Sequence, residues 1–196
     1  MMTKKILMIV GEFTETLEVY CPLFTMRAIG YTVDICCPTK SKGSYVTTVV
    51  HDQTPECPTW TEKPGHCLML NCTFNEVNPK NYDGLWIPGG RAPEYLRMNP
   101  NVVECVKFFV STGKPVAATC TGPQLLLASQ CVPKRKMTCY PTMSPEVTLC
   151  GSEYVKCPND ECVVDENIVT GPTWMACPRT VTSFANLLGT RMPCLH

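Results

Sequence analysis

The residue in this chain best placed to do chemistry is a cysteine at a corner. Cys120 stands between a short apolar run, Val116 to Thr119, and a helix-forming run, Leu125 to Ala128, with Thr121 and Gly122 at the turn. A nucleophile on a sharp strand-to-helix elbow is the arrangement of many acyl-transfer sites. The free N–H groups and the dipole of the helix start predict a lowered thiol pKa and a thiolate at Cys120. A packed, inert core cysteine fits the same residues. A second feature is Gly89-Gly90, directly after the apolar run Gly84 to Pro88. Glycines there let backbone N–H groups face an anion or an oxyanion, and they serve a plain tight turn equally well.

The elements that must carry these groups alternate in type. Lys5 to Val10 reads as a buried strand, and Thr16 to Ile29 as a helix in which Leu17, Cys21, Phe24 and Ala28 follow at the spacing of one face. Pro22 lies inside that span and predicts a kink or a later start. Gly30 closes the helix, and Tyr31 to Cys37 is the next strand. Residues 39–72 are turn-rich and weakly periodic, which predicts an excursion carrying short strands. Gly84 to Pro88 is the third parallel strand. Asn101 to Thr112 is an amphipathic helix with Val102, Val106, Phe109 and Val110 inward, followed by the central strand and elbow. Met137 to Tyr140 reads as a strand, Glu146 to Cys150 opens a further helix, Cys162 to Gly171 is a hairpin, and Thr180 to Leu188 is a closing helix. The expected fold class is α/β, a flavodoxin-like three-layer sandwich with a mostly parallel central sheet, formed by residues 1–196 as a single domain. Ligands bind such sheets at the carboxyl ends of the strands, where Gly11, Gly89-Gly90 and Cys120 fall.

Composition narrows the classes. In 196 residues, 17 basic and 17 acidic side chains leave no net charge. Neither a nucleic-acid footprint nor a polybasic membrane patch is expected. The run Ile6 to Val10 is too short for a signal segment or a membrane span, so a cytoplasmic protein is the expectation. The 15 cysteines form no CxxC pair and no zinc-type cluster with histidine. They predict reduced thiols and no metal site.

From about Lys4 to Leu188 the sequence resembles the ThiJ/PfpI superfamily of glutamine amidotransferase-like proteins. The residues that carry the resemblance are Gly11 with Glu18-Val19, Tyr82 to Leu85, Pro88 to Glu94, and Gly113 to Val116 leading into Cys120 to Gln124. The excursion with Val50-His51-Asp52, Gly65-His66 and Phe74 to Val77 is similar to the plant glyoxalase III-type branch, which commonly carries two such domains in tandem. The resemblance implies Cys120 as nucleophile and Glu18 as a protonated carboxyl against it. It also implies oxyanion-hole N–H groups from Gly90 and Thr121, and Glu94, Arg91 and Tyr140 as supporting residues. It implies no cofactor, and a homo-oligomer or a tandem-domain partner.

The chain departs from the family at its histidines. Thr121 stands where most members have a histidine after the nucleophile, Cys177 where many have one before a late proline, and Tyr140 at a third histidine position. His51, His66 and His196 are the whole supply, and His51 and His66 read as loop residues away from the strand ends, with a rescue role for either only if the excursion folds over the elbow. Losing a positioned acid–base group removes about two to four orders of magnitude in rate. The reading that follows is a weak, cofactor-independent glyoxalase acting on methylglyoxal or glyoxal through Cys120 and Glu18. The alternative is a non-catalytic, redox-sensing or stress-related scaffold that has lost the chemistry. Peptidase chemistry is disfavoured, because no evident group would protonate an amine leaving group.

Overall fold

A computed structural model describes residues 3–192. Its strands are β1 Lys5–Ile9, β2 Thr32–Cys36, β3 Tyr45–Gln53, β4 Trp60–Met69, β5 Gly84–Ile87, β6 Val116–Thr119, β7 Lys136–Met137, β8 Glu153–Tyr154, β9 Val163–Asp165 and β10 Ile168–Gly171. Its helices are α1 Thr16–Ala28, α2 Ala92–Leu96, α3 Pro100–Ser111, α4 Pro123–Ala128, α5 Ser144–Leu149 and α6 Cys177–Leu187.

The short apolar runs became strands because both of their faces are covered. The central sheet has the order β2-β1-β5-β6-β10-β9. All neighbours are parallel except β9, which pairs antiparallel with β10. Side chains alternate across it. Leu7, Ile9, Leu85, Ile87, Val116 and Ala118 pack on one face with the buried residues of α3 and α4. Ile6, Met8, Trp86, Ala117 and Val169 pack on the other with α1 and α6. The result is the three-layer α/β sandwich expected.

Several expectations need correction. The stripe Leu17, Cys21, Phe24 and Ala28 does not face the core: Leu17, Phe24 and Ala28 are exposed and Cys21 is half-buried. The buried face is Glu18, Val19, Pro22, Leu23 and Met26. Nor does α1 start later because of Pro22: it begins at Thr16 and runs through the proline. A proline there leaves the carbonyl four residues back without its helical donor, and that carbonyl, of Glu18, accepts instead from Trp86 Nε1 at 3.0 Å. The excursion is one antiparallel hairpin with strands of nine and ten residues, not a set of short strands. Of the expected Met137 to Tyr140 strand only Met137 is paired, in β7. The closing helix starts at Cys177, where Pro178 suits the first turn. Cys194 and His196 lie outside the described residues.

Candidate active site

The elbow is built by strain and by close backbone approach. Cys120 has φ of +54°, a left-handed conformation that costs a non-glycine residue energy and recurs at nucleophile turns. It is pinned on both sides: Cys120 N–H donates to Gly171 O, and Tyr140 N–H donates to Cys120 O, each at 2.8 Å. The glycine loop after β5 meets it. Gly90 has φ of +88°, and a Cβ there would lie 2.4 Å from the Phe13 carbonyl oxygen. A Cβ on Gly89 would lie 2.8 Å from both Cys120 Cβ and Glu18 Oε2, so only glycine lets the three groups converge.

Glu18 comes from the buried face of α1. Its Oε2 accepts from Gly89 N–H at 2.6 Å and from the Thr119 hydroxyl at 2.7 Å. Oε1 makes no directed hydrogen bond, although the carboxyl lies within interaction range of the Cys120 thiol. Burial raises the Glu18 pKa from 4.5 to about 7, against the lowering pull of Thr119, Gly89 and Cys120. Glu15, the N-cap of α1, is buried beside it and accepts from Glu18 N–H at 2.7 Å. Burial and the charge of Glu18 push it up to about 8. Both carboxyls therefore hold protons far above the ordinary range.

The thiol departs from expectation. The N–H groups of Thr121 and Gly90 do favour the thiolate. Burial outweighs them and, with Glu18, holds the Cys120 pKa well above that of a free thiol. At neutral pH the sulfur is protonated and the acid beside it is about half protonated. The helix start is too weak to reverse this, because α4 has only six residues and the sulfur is nearly out of water.

Above the elbow lies a cavity of about 230 Å³. Cys120, Thr121, Gly90, Arg91, Glu94 and Tyr140 all border it, so every residue of the expected site except Glu18 reaches its wall. Glu18 is fully enclosed beneath. Thr121 spends its hydroxyl on the Gly90 carbonyl at 2.7 Å, bracing the glycine loop against the elbow. Arg91 is held by two carboxylates, Glu62 at 2.6 Å and Glu94 at 2.9 Å.

The hairpin supplies a residue that the sequence reading puts in a loop and allows a role only if the excursion folds over the elbow. His51 is not a loop residue: it sits in β3, only 7 % exposed, and borders the same cavity as Cys120. Its Nε2 lies 2.9 Å from Glu62 Oε1, and its ring stacks on Trp60 at 6.4 Å between centroids. Trp60 in turn packs on Tyr140 at 5.3 Å. Gln124, on α4, completes this part of the wall. His66 stays outside the cavity, edge-on to Tyr20. The hint available in the sequence was the pair of histidines flanking a tryptophan in the excursion. Glu15 gave no signal beyond its nearness to Glu18. Among the described residues no group of three or more His, Cys, Asp or Glu is arranged to hold a metal ion.

A family model described as "DJ-1/PfpI family" matches residues 4–186. The chain is 41 % identical over 187 residues to "Protein DJ-1 homolog D" of Arabidopsis thaliana, covering 95 % of this chain and 48 % of that protein. It is 32 % identical over 166 residues to a deglycase of Thermococcus kodakarensis, covering 85 % of this chain and 88 % of the other. The chain thus spans about half the length of the Arabidopsis relatives it matches. Among solved structures, Drosophila melanogaster DJ-1beta superposes with a TM-score of 0.79 at 19 % identity, over 96 % of this chain and 92 % of that one, which is a likeness of fold.

Proposed function

This chain belongs to the DJ-1/PfpI family, and from that premise we propose that it is a cofactor-independent glyoxalase that converts methylglyoxal and water to lactate at Cys120. The observation that carries the reading is the meeting of a cavity-facing sulfur, two N–H groups aimed at it, and a buried acid of raised pKa behind it.

The chemistry needs no outside oxidant. As the sulfur bonds to the aldehyde carbon, its proton passes through Glu18 to the aldehyde oxygen, which gathers negative charge between Gly90 N–H and Thr121 N–H. The hemithioacetal then shifts hydrogen from its first carbon to the neighbouring carbonyl carbon. The first carbon is oxidised to a thioester and the second reduced to an alcohol. Water breaks the carbon–sulfur bond, releasing lactate and restoring the thiol. A raised Glu18 pKa suits this role, because the acid can both hold and give a proton near neutral pH.

A thiol kept protonated by burial fits a nucleophile unmasked by its substrate better than it fits a peroxide sensor, which depends on exposed thiolate. The test is lactate formation from methylglyoxal by the purified chain and by Cys120→Ala. Turnover in the first and none in the second is expected; equal turnover in both sinks the reading.

A further inference from the structure

The acid beneath the elbow and the wall above it serve different atoms. Glu18 lies within interaction range of the thiol, from below, and does not border the cavity, so a group on the cavity wall is better placed than Glu18 to take a hydrogen from a substrate carbon. Of the wall's carboxylates, Glu62 and Glu94 are bound to Arg91, and Glu146 to Arg97 at 3.1 Å. His51 differs. Its Nε2 faces Glu62, which Arg91 and His51 hold below the usual carboxylate range. A carboxylate only accepts, so Nε2 carries the hydrogen and Nδ1 the lone pair. That Nδ1 is buried without any partner. Two more buried polar atoms on lining side chains are also unpartnered: the donor Trp60 Nε1 and the acceptor Gln124 Oε1. Buried polar atoms are nearly always satisfied, so three unpartnered atoms on side chains that line one cavity are the groups a ligand there would engage, each after a small side-chain turn, because none is exposed to the cavity at rest. Such a ligand should have one acceptor, one donor and a hydrogen that a base can take.

We propose that His51, oriented by Glu62, is the base that moves the carbon-bound hydrogen of the Cys120 adduct, with Trp60 and Gln124 holding the two oxygens of a 2-oxoaldehyde. The proposal rests on the glyoxalase reading above and adds its missing base. In the hemithioacetal, Nδ1 takes the proton from the first carbon. The electron pair forms a carbon–carbon double bond, and the second oxygen becomes an enediolate held by the Trp60 N–H. The imidazolium then returns its proton to the second carbon. The hydroxyl proton of the first carbon, held against Gln124 Oε1, passes to the neighbouring oxygen as the thioester carbonyl forms. The imidazole ends neutral, ready to take a proton from the hydrolytic water. An aldehyde without an adjacent carbonyl has no second oxygen to receive the electrons, so it would bind sulfur and go no further.

The experiment measures methylglyoxal turnover for wild type, Cys120→Ala, His51→Gln, and His51→Ala with and without added imidazole. His51→Gln should lower kcat by about 10²- to 10⁴-fold with KM little changed. Imidazole should restore part of the rate to His51→Ala and none to Cys120→Ala. Rescue of this kind separates a lost base from a damaged fold. If His51→Gln keeps kcat within about threefold of wild type, far short of a lost base, while Cys120→Ala is dead, the His51 proposal falls and the Cys120 reading stands. Inactive His51 variants that imidazole does not revive also overturn it. A wild type no faster than Cys120→Ala removes both.

Discussion

Replacing Glu18 by glutamine should make the protein more stable at alkaline pH, and by an amount the structure sets. The side chain is fully enclosed, accepts from Gly89 N–H and the Thr119 hydroxyl, and has its pKa raised by burial from 4.5 to about 7. A raised acid pKa means that the folded chain binds this proton more tightly than the unfolded chain does. The stabilisation is complete below about 4.5 and is lost as pH rises through about 7. At about 1.4 kcal/mol per pH unit, that displacement corresponds to about 3 kcal/mol of stability lost by the wild type over this span. Glu18→Gln keeps an acceptor for both donors and has no proton to lose. It also removes the charge that helps push Glu15 up, which acts in the same direction. Urea unfolding of both proteins at acid and alkaline pH gives the assay, since subtraction at each pH cancels the other groups. Between about pH 5 and pH 8 the variant should gain about 2 to 3 kcal/mol on the wild type, a midpoint shift of about 1 M urea or more. A difference that stays flat across that range would show Glu18 already ionised in the fold, and the reasoning about its burial would be wrong.

Two further outcomes follow from contacts near the same helix. Cys21 has its pKa lowered to about 7 by the hydrogen bond of the Cys177 thiol, so its alkylation by iodoacetamide should show a midpoint near that pH. Cys177→Ala should move that midpoint upward; peptide mapping that finds it unmoved would refute the pairing. Trp86→Phe should cost about 1–3 kcal/mol beyond its lost packing by orphaning the Glu18 carbonyl. In a Pro22→Ala background, where the helix regains its own donor, the same substitution should cost less by urea unfolding. Equal costs in the two backgrounds would mean that Trp86 Nε1 does not serve that carbonyl.

The legible parts of this chain were those whose cause is local. Val116 to Thr119 had to be a buried strand because Gly113 and Pro115 punctuate an apolar run, and the corner at Cys120 followed from Thr121 and Gly122. The meeting of Cys120 with Glu18 is not local: 102 positions separate them, and only the family resemblance suggested it. The direction of the thiol's titration was misread for a related reason. The helix start is visible in sequence, whereas the burial that outweighs it is a property of the packed site. In α1 the regular spacing of Leu17, Cys21, Phe24 and Ala28 was real, but it marked the outer face. The core accepted Glu18 on the inner face because Gly89 and Thr119 satisfy it there.

The hairpin shows why the histidine was hidden. Pro64 and Gly65 lie in the stretch whose turn-rich composition hid the hairpin, yet β4 runs through both. Gly65 is a packing requirement: a Cβ there would lie 2.2 Å from Thr16 Oγ1 and 2.5 Å from Thr48 Oγ1, so glycine lets β4 close against the start of α1. Thr48 donates to the His66 carbonyl at 2.7 Å and meets Thr16 Oγ1 at the same distance. These contacts tie β3 to the first turn of the helix that carries Glu18. The same closure places His51 over the elbow. Thr121, where an imidazole would sit after the nucleophile in most of the family, spends its hydroxyl bracing Gly90. An imidazole returns to the cavity from the opposite wall, on an element whose placement depends on threonine contacts and a glycine. If that closure delivers the base, loosening it should reduce catalysis without touching Cys120, Glu18 or His51 themselves. The hydrogen bonds of Thr48 then matter to chemistry as well as to folding.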